Sequence, residues 1–312
     1  MDGALVKKDT ALVGEVFNIE VALHKAQVLF SYMDLSDTTR DEYIKRLPVF
    51  FEFVKDRGLG INTYLEFKKY LSTLPHYSIS TKNKYLATAR IFLKELNRIG
   101  DLPQDITQNI KGFKQAHIHK KDGITQEELD RIMQEVSTME KNRDSVRLKA
   151  ILSLLALQGF RQIEVNRLDV ADIDLVGKTA MVLGKGRDDK ELVNLHPQTV
   201  IALREYMDYC KVKDGALFVS FSGNSKNKRL NTRAIRGMIK GLLDRLGIDK
   251  TTHGFRHYFT TTLIKTYKGD LTQVSRYTRH KSLEMLQVYN DRIITQKDLP
   301  RYYNAFSGVK FI

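Results

Sequence analysis

The sequence has little cysteine. Cys210 stands alone among 312 residues, which excludes a disulfide framework and any zinc site built on cysteine pairs. Long apolar runs are missing as well. The richest, 150–160, falls well short of the roughly 20 residues that a bilayer-spanning helix needs. The first fourteen residues show neither the apolar core of a signal peptide nor the Arg/Ser pattern of a transit peptide. There is no P-loop and no acidic cluster with metal-ligand spacing. Negative charge is the remaining deficit: 37 acidic side chains face 51 basic ones, for a net charge of +14. With 42% hydrophobic and 28% charged residues, the composition is that of a globular chain long enough for two domains. The expectation is a soluble, reduced, cytoplasmic protein. The excess of positive charge points to a polyanion, with nucleic acid first. A charge kept for solubility explains it equally well when taken alone.

The charge is unevenly placed. Residues 1–122 carry a net +4 and residues 123–312 a net +10. The densest run is 224–246, where seven basic residues face only Asp244. Asn231 reads as a helix N-cap there, and Ile235, Met238, Ile239 and Leu242 form an apolar stripe. Arg233, Arg236 and Lys240 fall on the other face. Such a helix can lie along phosphates, or it can be an ordinary solvated face.

The first third reads as a bundle of four or five helices. One lies within 15–33. A second covers 41–57, capped by Asp37 and kinked at Pro48. A third covers 62–74 and a fourth 80–98, capped by Ser80. A short helix follows Pro103. The basic, aperiodic stretch 111–123 reads as a linker. Its His117 and His119 have no partner ligands nearby, so no metal site is expected. The second domain opens on a capping box, Thr125 to Glu128, ahead of Leu129, Ile132, Met133 and Val136. A helix over 144–158 follows. Three short β segments near 171–175, 179–183 and 191–195 then suggest a small antiparallel sheet. After Pro197 the chain is helical, with breaks near 214–230, 247–252, 267–270 and 294–299. A helix starts at Ser282 with Leu283, Met285 and Leu286 inward. The fold class is therefore mainly α with a small antiparallel β-sheet.

Five features could carry chemistry. Arg161 follows an apolar helix, and Glu164 three residues on can hold its guanidinium toward a phosphate; alone, this is also an ordinary ion pair. Lys185 sits in a Gly-Lys-Gly tip between two β segments, where a lysine can reach a leaving oxygen; alone, this is an ordinary turn. His253 and Arg256 share a helix face near an N-terminus and suit phosphoryl transfer. His280 belongs to Thr278-Arg279-His280-Lys281-Ser282. Tyr289 is one of 14 tyrosines and says nothing by itself.

The ordered set says more. Arg161, Lys185, His253-x-x-Arg256, His280 and Tyr289 all fall in the basic half. In this order they resemble the tyrosine recombinase (phage integrase) family of site-specific DNA recombinases, most of all its compact Xer-like and transposon-integrase members. The resemblance spans about 38–312. Two positions depart from the family pattern: Arg279 stands where glycine is usual, and Phe255 where leucine is common. The resemblance implies a helical, SAM-like core-DNA-binding domain at 1–110, a linker at 111–123, and an α+β catalytic domain at 124–312, which together form a C-shaped clamp on double-stranded DNA. It implies that Tyr289 forms a 3′-phosphotyrosyl link and that Arg161 and Arg256 hold the non-bridging oxygens. Lys185 would protonate the leaving 5′-oxygen, His253 would handle the tyrosine proton, and His280 would donate to the phosphate. Glu164 would support Arg161. Lys226, Lys228, Arg229, Arg233, Arg236 and Arg279 are the expected DNA contacts. No cofactor and no metal are expected. Strand exchange through a Holliday junction would take place in a homo-tetramer joined by the C-terminal tail, with a possible accessory or partner recombinase, at the nucleoid. The tasks open to such an enzyme are mobile-element integration or excision and resolution of DNA dimers. A type IB topoisomerase-like enzyme and a non-catalytic DNA-binding protein are the rival readings.

Overall fold

The structure, a computed structural model, describes residues 18–115, 123–184, 186–221, 223–280 and 282–309. The chain divides into two compact units, Met1–Ala116 and His117–Ile312. Among the described residues no helix is long and apolar enough to cross a membrane.

The first unit holds four helices: α1 (Ile19–Ser31), α2 (Asp37–Val54), α3 (Thr63–Thr73) and α4 (Ile79–Arg98). Their apolar positions recur at helical spacing and meet in an aromatic core. Phe50 packs edge-on to Phe67 at 5.0 Å, and Phe51 edge-on to Phe92 at 5.2 Å. Buried Tyr64 finds a partner for its hydroxyl, donating to the Leu86 carbonyl at 3.0 Å. Two expected caps move. Ser36, not Asp37, caps α2 through the Thr39 amide, and Ser78, not Ser80, caps α4 through the Thr81 amide. Each is the last extended residue before the helix, which is where a cap must sit. α2 runs on through Pro48. No helix forms after Pro103. The Asp105 carboxylate instead accepts from the Thr107 amide at 2.8 Å and hydroxyl at 2.6 Å, which holds a turn.

The second unit begins with α5 (Gln126–Thr138), whose Thr125–Glu128 capping box is formed. α6 (Arg143–Leu157) is buried nearly all round and packs on α8 (Pro197–Cys210) and α10 (Thr252–Thr266). Between α6 and α8 lie the short α7 (Gln162–Arg167) and three antiparallel strands in the order β1 (Ile173–Asp174), β2 (Thr179–Leu183), β3 (Lys190–Asn194). β2 and β3 pair from Thr179 with Asn194 to Leu183 with Lys190. α9 (Thr232–Arg245) buries Ile235, Ile239 and Leu242 as its stripe requires. α11 (Leu271–Thr278) and α12 (Leu283–Ala305) complete the unit.

Three expectations fail here. Met133 is exposed on α5, and on α12 Leu283 and Met285 are exposed while Leu286 is buried as expected. The expected break near 294–299 is also absent, because α12 runs unbroken to Ala305, past Pro300. Proline removes one amide, and the carbonyl this would orphan belongs to the exposed Gln296.

Candidate active site

Four short segments of the second unit build the site. After α6, Gly159 turns the chain at φ +59°, and a Cβ there would lie 2.2 Å from the Phe259 ring. Only glycine fits both demands. Buried Phe160 then anchors the turn, and Arg161 becomes the residue capping α7. The Glu164 carboxylate accepts from the Arg161 amide at 2.8 Å and from Arg161 Nη1 at 2.8 Å.

The first turns of α10 carry His253, Arg256 and His257. Arg256 is 2% exposed and acts as a strut. Its Nη1 donates to the Gly159 carbonyl at 2.6 Å and its Nη2 to the Thr278 carbonyl at 2.5 Å. One guanidinium thus ties together α10, the turn before Arg161 and the end of α11. Arg279 closes α11 in the left-handed region at φ 55°. That reversal delivers His280, whose Nδ1 lies 2.7 Å from the Thr278 hydroxyl. Tyr289, on the second turn of α12, is 7% exposed. Its ring centre lies 6.3 Å from that of His280 and 5.0 Å from that of His257, and His257 in turn meets His253 at 4.6 Å.

The electrostatics mark an anion site. Burial and the neighbouring Arg161 cation bring the Arg256 pKa down to about 10. At neutral pH it stays charged, held against a second cation and out of water. Burial, with Arg256, Arg161, Arg279 and His253 around it, lowers the His280 pKa to about 3. His280 is therefore a neutral imidazole. Burial raises the Tyr289 pKa, and Arg256 and Arg161 only partly offset it, so the phenol keeps its proton until a base takes it. Burial alone would raise the Glu164 pKa. Arg279 and the two hydrogen bonds from Arg161 outweigh it, and the net shift is down. Strongly shifted groups of this kind, gathered in one place, are a mark of function.

The structure thus brings together Arg161, His253, Arg256, His280 and Tyr289, with Glu164 beneath Arg161. Lys185, on the β2–β3 connection, lies outside the described residues, as do His117 and His119. Among the expected DNA contacts, Lys226, Lys228, Arg233 and Arg236 are exposed. α9, which carries the last two, is held to α7 by Asn166 Nδ2 donating to the Leu230 carbonyl at 2.7 Å and by Gln162 donating to the Thr232 carbonyl. Arg229 is exposed as well, with its side chain 37% accessible. It donates to the Asn166 carbonyl at 2.7 Å and the Leu168 carbonyl at 3.0 Å and pairs with Asp169. Arg279 is a correction. Its side chain is 4% exposed and pairs with Glu164 and Glu191, so it does not face outward toward a phosphate backbone. His257 and Thr278 were missed. The i, i+4 spacing of His253 and His257 was the available signal for the first; Thr278 acts through its carbonyl and had none.

Residues 123–293 match the phage integrase family. The chain belongs to that family, the tyrosine recombinases. This tyrosine recombinase is 28% identical over 277 residues to tyrosine recombinase XerC of Herpetosiphon aurantiacus, covering 83% of this chain and 88% of that protein. It is 27% identical over 287 residues to tyrosine recombinase XerD of Oceanobacillus iheyensis, covering 87% and 93%. Its fold matches the XerH site-specific recombinase bound to a palindromic difH substrate at TM-score 0.66 and 21% identity, over 91% of this chain and 83% of that one. A lambda integrase dimer bound to a core site matches at TM-score 0.65 and 13% identity, over 87% and 76%.

Proposed function

We propose that this tyrosine recombinase cuts and rejoins duplex DNA at specific sites with Tyr289 as nucleophile. The observation that carries the reading is the meeting of two guanidiniums, an imidazole and a tyrosine in one centre, with Arg256 and Tyr289 nearly covered. Arg161 and Arg256 hold the non-bridging oxygens of the scissile phosphate, where charge builds in the transition state. The Thr278 hydroxyl can donate to His280 Nδ1, which leaves the ring proton on Nε2 for the phosphate. The Tyr289 hydroxyl attacks phosphorus, and its proton passes to His253. The bond to the 5′-oxygen breaks, and Lys185 supplies the proton that oxygen takes up. The 3′-phosphotyrosyl link conserves the phosphodiester energy, so the scheme needs no ATP. Attack by a 5′-hydroxyl of a partner strand reverses the step and exchanges strands through a Holliday junction. Tyr289 is nearly covered, so its ring must turn toward the incoming phosphate.

Residues 1–110 serve as a core-DNA-binding domain, 111–123 as a linker and 124–312 as the catalytic domain, closing on the duplex as a clamp. The XerH and lambda integrase neighbours are each bound to a DNA site, which supports the choice of partner. Lys226, Lys228, Arg233 and Arg236 supply phosphate contacts. The tail joins protomers in a tetramer. Exposed Tyr302 and Tyr303 on α12 and Phe306 and Val309 beyond it support this; Phe311 lies outside the described residues.

Two paired sites test the reading. Recombinant or junction products are expected, and relaxation alone would move the enzyme to the topoisomerase-like class. Deleting 300–312 should abolish pairing of sites while single-site binding survives. Equal loss of both would remove the tail from assembly.

A further inference from the structure

Arg279 occupies an unusual place. A large side chain follows a left-handed backbone position, φ 55°, and then runs inward rather than to solvent. Its Nη2 donates to Glu164 Oε2 at 2.7 Å. Its Nε lies 3.2 Å from Glu191 Oε1 on β3. Its guanidinium carbon stacks 4.6 Å from the Phe160 ring centre. Nε and Nη1 are both buried with no hydrogen-bond partner among the described residues, so the contact with Glu191 is an ion pair rather than a hydrogen bond.

The Glu164 carboxylate is 0% exposed and lies between two guanidiniums. One oxygen takes Arg161 Nη1, and the other takes Arg279 and the Arg161 amide. The pose of Arg161 therefore depends on a carboxylate whose second charged partner is Arg279. Glu191, the far end of the link, also pairs with Arg187 at 2.7 Å, so the chain of charges runs from the β2–β3 hairpin to Arg161.

We infer that Arg279 is a positioning residue: through Glu164 it fixes the Arg161 guanidinium for the scissile phosphate, and through Glu191 it ties that guanidinium to β3. This rests on the proposed nucleophilic role of Tyr289. Removing Arg279 leaves Glu164 buried with a single guanidinium and only the Arg161 amide on its second oxygen, a looser hold on the Arg161 side chain. A misplacement of about 1 Å can cost on the order of a hundredfold in rate.

The test is single-turnover cleavage at saturating DNA, with affinity and its salt dependence measured in parallel. R279G removes the guanidinium and suits the left-handed backbone. It should cleave about tenfold to a hundredfold more slowly with affinity and salt slope unchanged, and R279K should recover part of the rate. An unchanged cleavage rate overturns the inference. So does a loss confined to affinity with a flatter salt slope, the signature of a phosphate contact. Should R279G melt below the assay temperature, E191Q decides. It breaks the tie from the partly exposed end and should slow cleavage without weakening binding; full-rate cleavage overturns the inference. A parent protein that forms no covalent adduct refutes the role of Tyr289 itself, whereas a normal parent beside an unimpaired R279G refutes only the role of Arg279.

Discussion

Replacing Arg256 by lysine separates its work as a strut from its work on a phosphate. In the native protein its two terminal nitrogens serve two carbonyls, those of Gly159 and Thr278, at 2.6 and 2.5 Å. Lysine keeps the charge but gathers its three donors on one atom at the end of a flexible stem, so it lacks the fork that places a separate nitrogen on each carbonyl. The variant loses one charge-assisted hydrogen bond, worth about 1.5–3 kcal/mol, and leaves one buried acceptor without a donor at about 1–3 kcal/mol. The two figures describe the same lost contact and overlap, so the net cost should be about 2–3 kcal/mol. For a unit of this size that lowers the melting temperature by about 4–12 °C. The assay is thermal unfolding of R256K beside the parent, followed by cleavage well below both transitions. R256K should remain defective there, because a point charge cannot hold two phosphate oxygens in a fixed fork. A melting temperature unchanged from the parent would refute the strut. Full cleavage by a folded R256K would refute the fork.

The His280 imidazole should titrate near its lowered pKa of about 3, and NMR should find it neutral throughout the physiological range. Because this base has a folded pKa below its ordinary 6.5, the stability it contributes is complete above about 6.5 and falls as pH drops toward about 3. DNA binding should raise that pKa, since a phosphate favours the charged ring; a fall on binding would remove His280 from the phosphate. R233A and R236A should each reduce the slope of log affinity against log salt by about 0.9, at any sequence. An unchanged slope would place α9 away from the backbone.

Much of this site could be read from the sequence because its groups lie at helix starts. Thr125 and Asn231 announce their helices by capping chemistry, and His253 with Arg256 fall on one face by spacing alone. The order of reacting types from Arg161 to Tyr289 then carried the family. Arg279 could not be read this way. A basic residue in a charged turn looks like a surface contact, and only the packed chain shows Glu164 and Glu191 waiting for it. The partners of exposed Arg229 were equally illegible: two are carbonyls of residues more than 60 positions away, and carbonyls have no letter in a sequence. The α12 helix shows the opposite failure. A break is expected near 294–299, yet the helix runs on past Pro300, and the carbonyl that proline orphans is at the surface, where water can take the place of the lost amide.

The most direct test of the central role given to Tyr289 is a nicked duplex that traps the covalent intermediate, incubated with the protein in EDTA. A protein–DNA adduct should form, digestion should map it to the peptide bearing Tyr289, and Y289F should bind the same duplex without forming it. An adduct that persists in Y289F, or one that maps to Tyr277, Tyr302 or Tyr303, would contradict the account.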